Sequence, residues 1–440
     1  MTFVILLKSF RNIFSIADLR SKLLFTLVVL FVYRIGYSIP VVGVDVSKLG
    51  EFMKQASNLG AFFNYLDSLS GSNYANCTLF SLGISPYITA SIVMQLLGMT
   101  IPSLEQLTKE GEFGRKIINQ YTRYLALGLS VIYSFSYASL LETQGLVIEP
   151  GIAFKLLFVL SLTAGCMFVM WLGDQISIFG IGNGTSMIIF AGIVAQFPTF
   201  ATKTWQYLKL GTLDPMSAVI IVAVLLLIAA CIVFLEKGER KIPVQYARRV
   251  VGNRVFGGQS SYIPFKINPV GVMPVIFANA TLQLPIMLTN LLIWKFPSLS
   301  FLSGVFSYNS ALFISLDFLL IIFFTFLYTA LYMNPEELSQ NIKKNGGFIP
   351  GIRPGKQTAQ FFDFVLNRIG LVGAIYLATL AVIPSIMAMF ITMPFYLGGT
   401  SLSIVVGVAL ETAAQMESYL IEHRYEGFLS QGTFKTRIAR

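Results

Sequence analysis

The stretch that decides the fold is TLFSLGISPYITASIVMQLL, residues 78–97. It lies inside residues 68–104, 37 positions between Asp67 and Glu105 that hold no Lys, Arg, Asp or Glu. One bilayer crossing needs roughly 20 apolar residues, so the run is too long for one span. Its first part, SLSGSNYAN (68–76), is small and polar, whereas Leu79–Gly98 is apolar enough to cross. We read a short segment folded back into the membrane, followed by a true spanning helix. Irregular backbone is tolerated at that depth only where protein buries it or a watery cavity accepts it. The stretch therefore implies a cavity at membrane depth. Ile84, Ile88, Ser91 and Gln95 recur at helical spacing on one face of the span. Lipid does not favour Ser and Gln, so this face looks inward. The alternative is a polar pair joining two helices.

Composition widens the reading to the whole chain. Of 440 residues, 55% are hydrophobic and 12% charged, against about 25% charged in soluble domains. With many charge-free runs of spanning length, this is an all-α polytopic membrane protein. One His and three scattered Cys (Cys77, Cys166, Cys231) argue against a metal site or a disulfide framework. No cofactor is implied, and His423 reads as a solvated residue near the tail. The opening MTFVILL has no charged n-region and no small-residue cleavage motif, so no removable signal is expected.

Taken in order, residues 1–22 carry Lys8, Arg11, Arg20 and Lys22 among apolar residues and read as an amphipathic segment at the interface. Spans follow at about 23–40, 79–98, 121–141, 153–172, 184–202, 215–235, 269–294 and 312–333. Residues 369–410 hold no charge over 42 positions, and the turn at 393–400 divides them into spans 9 and 10. Arg34 sits near one end of span 1, where it can snorkel to the headgroups. GDQISIFGIGNG (173–184) is a Gly-rich turn, lacking the Lys-Ser/Thr of a phosphate loop. Loop 236–268 carries seven basic residues and an alternating Ile242, Val244, Tyr246, as in a β-hairpin. Span 7 contains Pro274 and Pro285, so it is kinked, with Ile276, Asn279 and Gln283 on one face. In loop 334–368, Asn334 caps a helix, Pro335 opens it, and Asn345-Gly346-Gly347 stops it. The tip FIPGIRPG is stiffened by two Pro-Gly turns, and a second helix starts near Thr358.

Ten spans put both ends on one side. The side with the ends and loops 99–123, 173–182, 236–268 and 334–368 holds 24 basic residues against six on the other. Positive charge marks the cytoplasm, so both termini are cytoplasmic. Ten divides into five and five, and an odd number per half forces inversion, a frame that commonly encloses a pathway. The expected parts are 1–22, a half at 23–210, a half at 211–420 and a tail at 421–440.

Six long motifs together resemble the SecY family, the channel subunits of preprotein translocases. They are SLGISPYITASIVMQLL, EGEFGRKIINQYTRYLALGL, WLGDQISIFGIGNGTSMIIFAGIVA, FKINPVGVMPVIFA, FIPGIRPGKQTA and PFYLGGTSLSIVVG. The resemblance implies two inverted five-helix halves around a central hourglass pore. Its apolar waist is implied at Ile84, Ile88, Ile189, Ile276 and Ile404. Thr185, directly after GNG, takes a sixth position that is usually aliphatic. A plug is implied at about 61–73, with Phe62, Phe63, Tyr65, Leu66, Leu69 and Ser70. A lateral gate is implied between spans 2 and 7, where Ser91, Gln95, Asn279 and Gln283 can hydrogen-bond across. Docking of cytoplasmic partners is implied at Arg240, Lys241, Arg248, Arg249, Arg353 and Lys356. Implied partners are small SecE- and SecG-like membrane subunits, the SecA motor ATPase, the ribosome, signal peptides, nascent chains and membrane lipids. The implied location is a bacterial plasma (inner) membrane, ahead of a plastid thylakoid.

Two other classes use some of the same features. A secondary transporter also has inverted repeats and broken helices, but Asp317, Glu411 and Glu417 all lie toward span ends, so no proton or sodium relay is evident. An intramembrane enzyme needs a nucleophile with a base or a metal. The one His lies outside the spans, so no catalytic residue is assigned.

Overall fold

The computed structural model describes residues 16–45, 48, 77–246, 249–251, 254–256, 260–295, 310–390 and 398–431. The expected plug residues and Arg248 lie outside this set, as do the side chains of Arg249, Gln283 and His423.

The helices are α1 (Ala17–Gly36), α2 (Ser85–Thr100), α3 (Pro102–Lys109), α4 (Glu112–Thr143), α5 (Ile152–Phe179), α6 (Gly184–Val194) and α7 (Phe197–Lys209). They continue as α8 (Pro215–Lys237), α9 (Met273–Lys295), α10 (Ala311–Tyr332), α11 (Pro335–Lys344), α12 (Lys356–Phe390) and α13 (Gly399–Gln431). A helix stands at each of the ten expected span positions. Among the described residues, seven are long and apolar enough to cross a membrane, or eight if the bent pair α2–α3 counts as one.

Several boundaries differ from the sequence reading, each for a local reason. The segment around 79–84 is not helical: α2 begins only at Ser85, with Pro86 in its first turn, where no amide partner is needed. Its backbone is satisfied by the protein itself, since Leu79 N–H donates to Ile39 O and Val41 N–H to Cys77 O, both at 2.9 Å. Pro102 ends α2, and α3 departs at 106°. The expected loop 99–120 is thus mostly helical. Gly111, at φ +75°, turns the chain, and a side chain at Gly114 would overlap the Leu107 carbonyl. The Gly-rich turn shrinks to 180–183, because DQISIF continues α5. Asn334 caps α11 as expected, its Oδ1 accepting the Glu336 N–H at 3.1 Å. The helix expected near Thr358 and span 9 are one continuous helix, α12. α13 runs on through the start of the expected tail to Gln431.

The packing repeats itself. In the first half α1 packs on α5 and α6, α2 on α4, α4 on α5, and α5 on α6. In the second half α8 packs on α12 and α13, α9 on α10, α10 on α12, and α12 on α13. Moving five spans along the chain converts one set into the other. The halves meet along two seams, α2 and α4 against α9, and α6 against α13.

Strands β1 (Glu239–Tyr246), β2 (Arg249–Val251), β3 (Arg254–Phe256) and β4 (Ser260–Lys266) fill the first large loop, and β5 (Gly347–Phe348) lies in the second. β1 pairs antiparallel with β4 and also with β5, giving the order β4-β1-β5. The two loops are therefore one folded unit. Ile242, Val244, Phe265, Ile342, Phe362 and Leu366 make its core.

Glycines mark the tightest approaches. A Cβ on Gly184 would overlap the Gly173 carbonyl oxygen, whereas one on Gly128 in α4 would meet nothing within 4 Å. We predict that Gly184→Val lowers stability by about 1–3 kcal/mol, as overpacking does. Gly128→Ala should be neutral or stabilising by up to about 1 kcal/mol. Thermal midpoints of the two purified variants in detergent check this; equal midpoints would refute the packing argument.

Candidate functional site

The inward isoleucines come from four separate elements. Ile84 occupies the N-cap position of α2, and Ile88 lies one turn on. Ile189 is on α6, Ile276 on α9 and Ile404 on α13. Ile84, Ile189, Ile276 and Ile404 are 1, 3, 6 and 2% exposed and belong to one apolar cluster, against which the half-buried Ile88 packs. Small residues let the helices close on this cluster. A Cβ on Gly173 would stand 3.5 Å from Ile84 Cδ1, and one on Gly407 would overlap Val272. Thr185, expected at the sixth ring position, is half-buried and donates its hydroxyl to Asn183 Oδ1 at 2.7 Å. The same oxygen accepts the Thr185 N–H at 3.1 Å and caps α6. The polar group that departs from the aliphatic pattern is thereby occupied with its own helix cap.

The two seams are held differently. At the α6–α13 seam, the Gly182 N–H donates to Gln415 Oε1 at 2.9 Å, and the Ile181 N–H to Thr26 Oγ1 on α1 at 3.1 Å. Lys22 adds a hydrogen bond to the Tyr419 hydroxyl at 3.2 Å. Beside this seam lies a cavity of about 560 Å³ lined by Ser177, Gly182, Glu411, Gln415 and Tyr419 among others. At the α2–α9 seam the expected hydrogen bonding takes another route. Gln95, exposed near the end of α2, donates to Ser91 Oγ at 3.1 Å and accepts the Tyr328 hydroxyl of α10. The Tyr328 ring lies 4.7 Å from that of Phe277 on α9. Asn279 is 6% exposed, and among the described residues neither of its side-chain polar atoms has a hydrogen-bond partner. Leaving such groups unpaired costs about 1–3 kcal/mol, so Asn279 favours any arrangement that supplies a partner. Tyr328 was missed in the sequence because a tyrosine near a span end reads as an interfacial anchor.

Asp317 lies in the second turn of α10, yet it is 7% exposed and its Oδ1 has no hydrogen-bond partner among the described residues. Proximity to the span end thus does not put it in water. Arg34 does follow the sequence reading: it is exposed and lies over the Tyr37 ring at 4.5 Å.

In the unit formed by the two loops, Arg240, Lys241, Arg353 and Lys356 are exposed. The tip is pinned on both sides: Thr358 Oγ1 donates to Arg353 O at 2.9 Å, and Ser339 Oγ to Gly355 O at 2.7 Å. Gly351 and Gly355, at φ +85° and +108°, supply the left-handed turns.

Comparison with known proteins matches this arrangement. The SecY family model covers residues 78–413. The translocase subunit SecY of Aquifex aeolicus is 42% identical over 426 residues, 95% of this chain and 98% of that one. The chain belongs to the SecY family. A solved chain described as a protein conducting channel superposes with a TM-score of 0.64 at 19% identity, over 91% of this chain and 92% of its own. Sec61 from a canine ribosome-channel complex of the endoplasmic reticulum gives 0.59 at 18% identity, over 91% and 92%. The fold is that of these multi-pass channels.

Removing the Gln95–Tyr328 bond tests its weight at the α2–α9 seam. Tyr328→Phe keeps the ring against Phe277 and deletes only the hydroxyl. Interhelical hydrogen bonds in membranes average about 0.6 kcal/mol, so the expected effect is a modestly easier opening, read as better export of weakly hydrophobic signals. Unchanged export of weak signals would show that this bond does not hold the seam.

Proposed function

We propose that the chain is a protein-conducting channel, passing unfolded preproteins across the membrane and releasing signal and transmembrane helices sideways into lipid. The observation that carries it is the single cluster joining Ile84, Ile88, Ile189, Ile276 and Ile404 from both halves. A moving polypeptide must slip without sticking, so its constriction needs side chains that offer no hydrogen bonds. An apolar constriction also resists water and ions when closed. Thr185 does not spoil this surface, because its hydroxyl is engaged by Asn183.

Sideways release uses the α2–α9 seam. Among the described residues, the polar bonds beside it are those of Gln95 with Ser91 and Tyr328, between side chains, so an apolar signal helix can displace them by packing between the two. Asn279, buried without a partner among the described residues, gains one when backbone or side chain of an incoming segment enters. Residues 61–73, which lie outside the described residues, take the plug role that the family resemblance implies. SecE- and SecG-like subunits, the SecA motor and the ribosome are the partners, and the last two dock on the unit formed by loops 236–268 and 334–368. The Lys and Arg asymmetry places that unit and both termini in the cytoplasm of a bacterial cell, with the channel in its plasma membrane.

The test is translocation by purified channel in proteoliposomes with motor, ATP and a preprotein carrying a photocrosslinker in its signal. Expected are protected preprotein and crosslinks from the signal to α2 and α9. Uptake of a small solute driven by an ion gradient, without preprotein transport, would instead favour a secondary transporter.

Docking has its own prediction. Arg353 is exposed at a tip held by two hydrogen bonds, so little entropy is lost when a partner binds it. Arg353→Glu is expected to block translocation while leaving membrane insertion and folding intact, with binding lost to ribosome and motor at two salt concentrations. Lys241 and Arg248 should act more weakly, as members of a spread patch. Wild-type binding and export by Arg353→Glu would reduce the loop to a solvated cap.

A further inference from the structure

The sheet β4-β1-β5 has two faces, and only one is used by the fold. Directly paired residues of antiparallel strands point to the same side. Ile242 pairs with Ile263 and Arg240 with Phe265, and this side covers the core of the unit. On the other side, Lys241 pairs with Pro264, Pro243 with Tyr262, and Gln245 with Phe348. Tyr262 is 55% and Phe348 36% exposed, far more than a packed aromatic. Lys241 Nζ lies 4.8 Å above the Tyr262 ring and 3.2 Å from Glu239. The Glu239 hydrogen bond, with Tyr262 beside it, raises the Lys241 pKa, so the residue stays cationic.

We propose that this outer face is a stacking platform for unpaired RNA bases on the ribosome, a refinement that rests on the docking reading above. Three observations favour RNA over an acidic protein. The two loop segments carry twelve basic against five acidic residues, a surface that attracts a phosphate polymer. The exposed groups at the centre of the face are flat rings and prolines, which offer π-faces and apolar edges and few hydrogen bonds. Bases stack on such rings whatever their sequence, and sheets that present aromatic residues outward bind single-stranded RNA in this way. Tyr262 and Phe348 are two strands apart and two residues along, roughly 12 Å from each other by strand spacing. That distance suits two splayed bases rather than one continuous stack.

The platform and the charged patch make different predictions. Losing a neutral ring removes no phosphate contact, so the salt dependence of binding should keep its slope. Ribosome binding to the full channel in nanodiscs, titrated at several salt concentrations, reads this directly. Tyr262→Ala with Phe348→Ala is expected to weaken binding roughly tenfold or more, with an unchanged salt slope. Tyr262→Trp, which keeps a stacking face and controls for folding, is expected to bind as wild type. Stimulation of the motor ATPase is expected to be unaffected by either. The proposal is overturned if the double alanine variant binds ribosomes as wild type, if the salt slope falls with affinity, or if motor stimulation is lost instead. Loss of binding in Arg353→Glu with no loss in the double alanine variant sinks the platform alone. Wild-type binding by Arg353→Glu sinks the docking reading itself.

Discussion

A backbone amide that leaves a helix inside a membrane must find another partner, and that constraint shapes the centre of this molecule. Residues 77–84 are not helical, yet the Leu79 amide and the Cys77 carbonyl pair with residues 39 and 41, and the Ser81 and Gly83 amides bond within their own turns. The chain can thus place Ile84 at the mouth of α2 without exposing backbone to lipid. The same rule governs 180–183, where three peptide groups are satisfied by Thr26, Gln415 and the end of α5. Both breaks are positions where a side chain enters the apolar cluster or where the halves are tied together. Irregular backbone here is positioned by neighbouring helices, and in turn it positions the waist.

From this follows a mechanical difference between the seams. At α6–α13, a backbone N–H, that of Gly182, is itself the donor to Gln415, so separating the helices would strand a peptide group. At α2–α9, the bond that crosses between side chains joins Gln95 to Tyr328. Side chains can swing to new partners, but a peptide group cannot. Parting α6 from α13 would strand the Gly182 amide, whereas parting Gln95 from Tyr328 would strand side-chain groups alone.

Much of this was legible from residues. The uncharged runs located the spans, Asn334-Pro335 marked the start of α11, and the stripe of span 2 foretold Ile84 and Ile88 in the apolar cluster. What escaped was longer in range. The 106° bend at Pro102 was hidden because the expected loop carries enough charge to read as coil, while its Leu104 and Leu107 fit a short helix. Gln95 gave no sign of Tyr328, since their separation in the chain is 233 residues. Pairing of β1 with β5 was also invisible, because two residues of strand leave no periodic signal. The repeat of packing between halves had been inferred from an odd count alone, and only the contacts reveal it.

The joining of the two loops has a consequence for how force travels. Both loops emerge from the second half only, and Ile267 N–H bonds Gly238 O at 2.9 Å where the sheet meets α8 and α9. α12 then runs from Lys356 at the tip to Phe390, 35 residues with Pro384 near its far end, or roughly 52 Å along its axis. A particle that grips the sheet holds one half of the molecule by a handle and leaves the other half unattached. Thrust applied there would enter through the second half and reach the first only across the two seams.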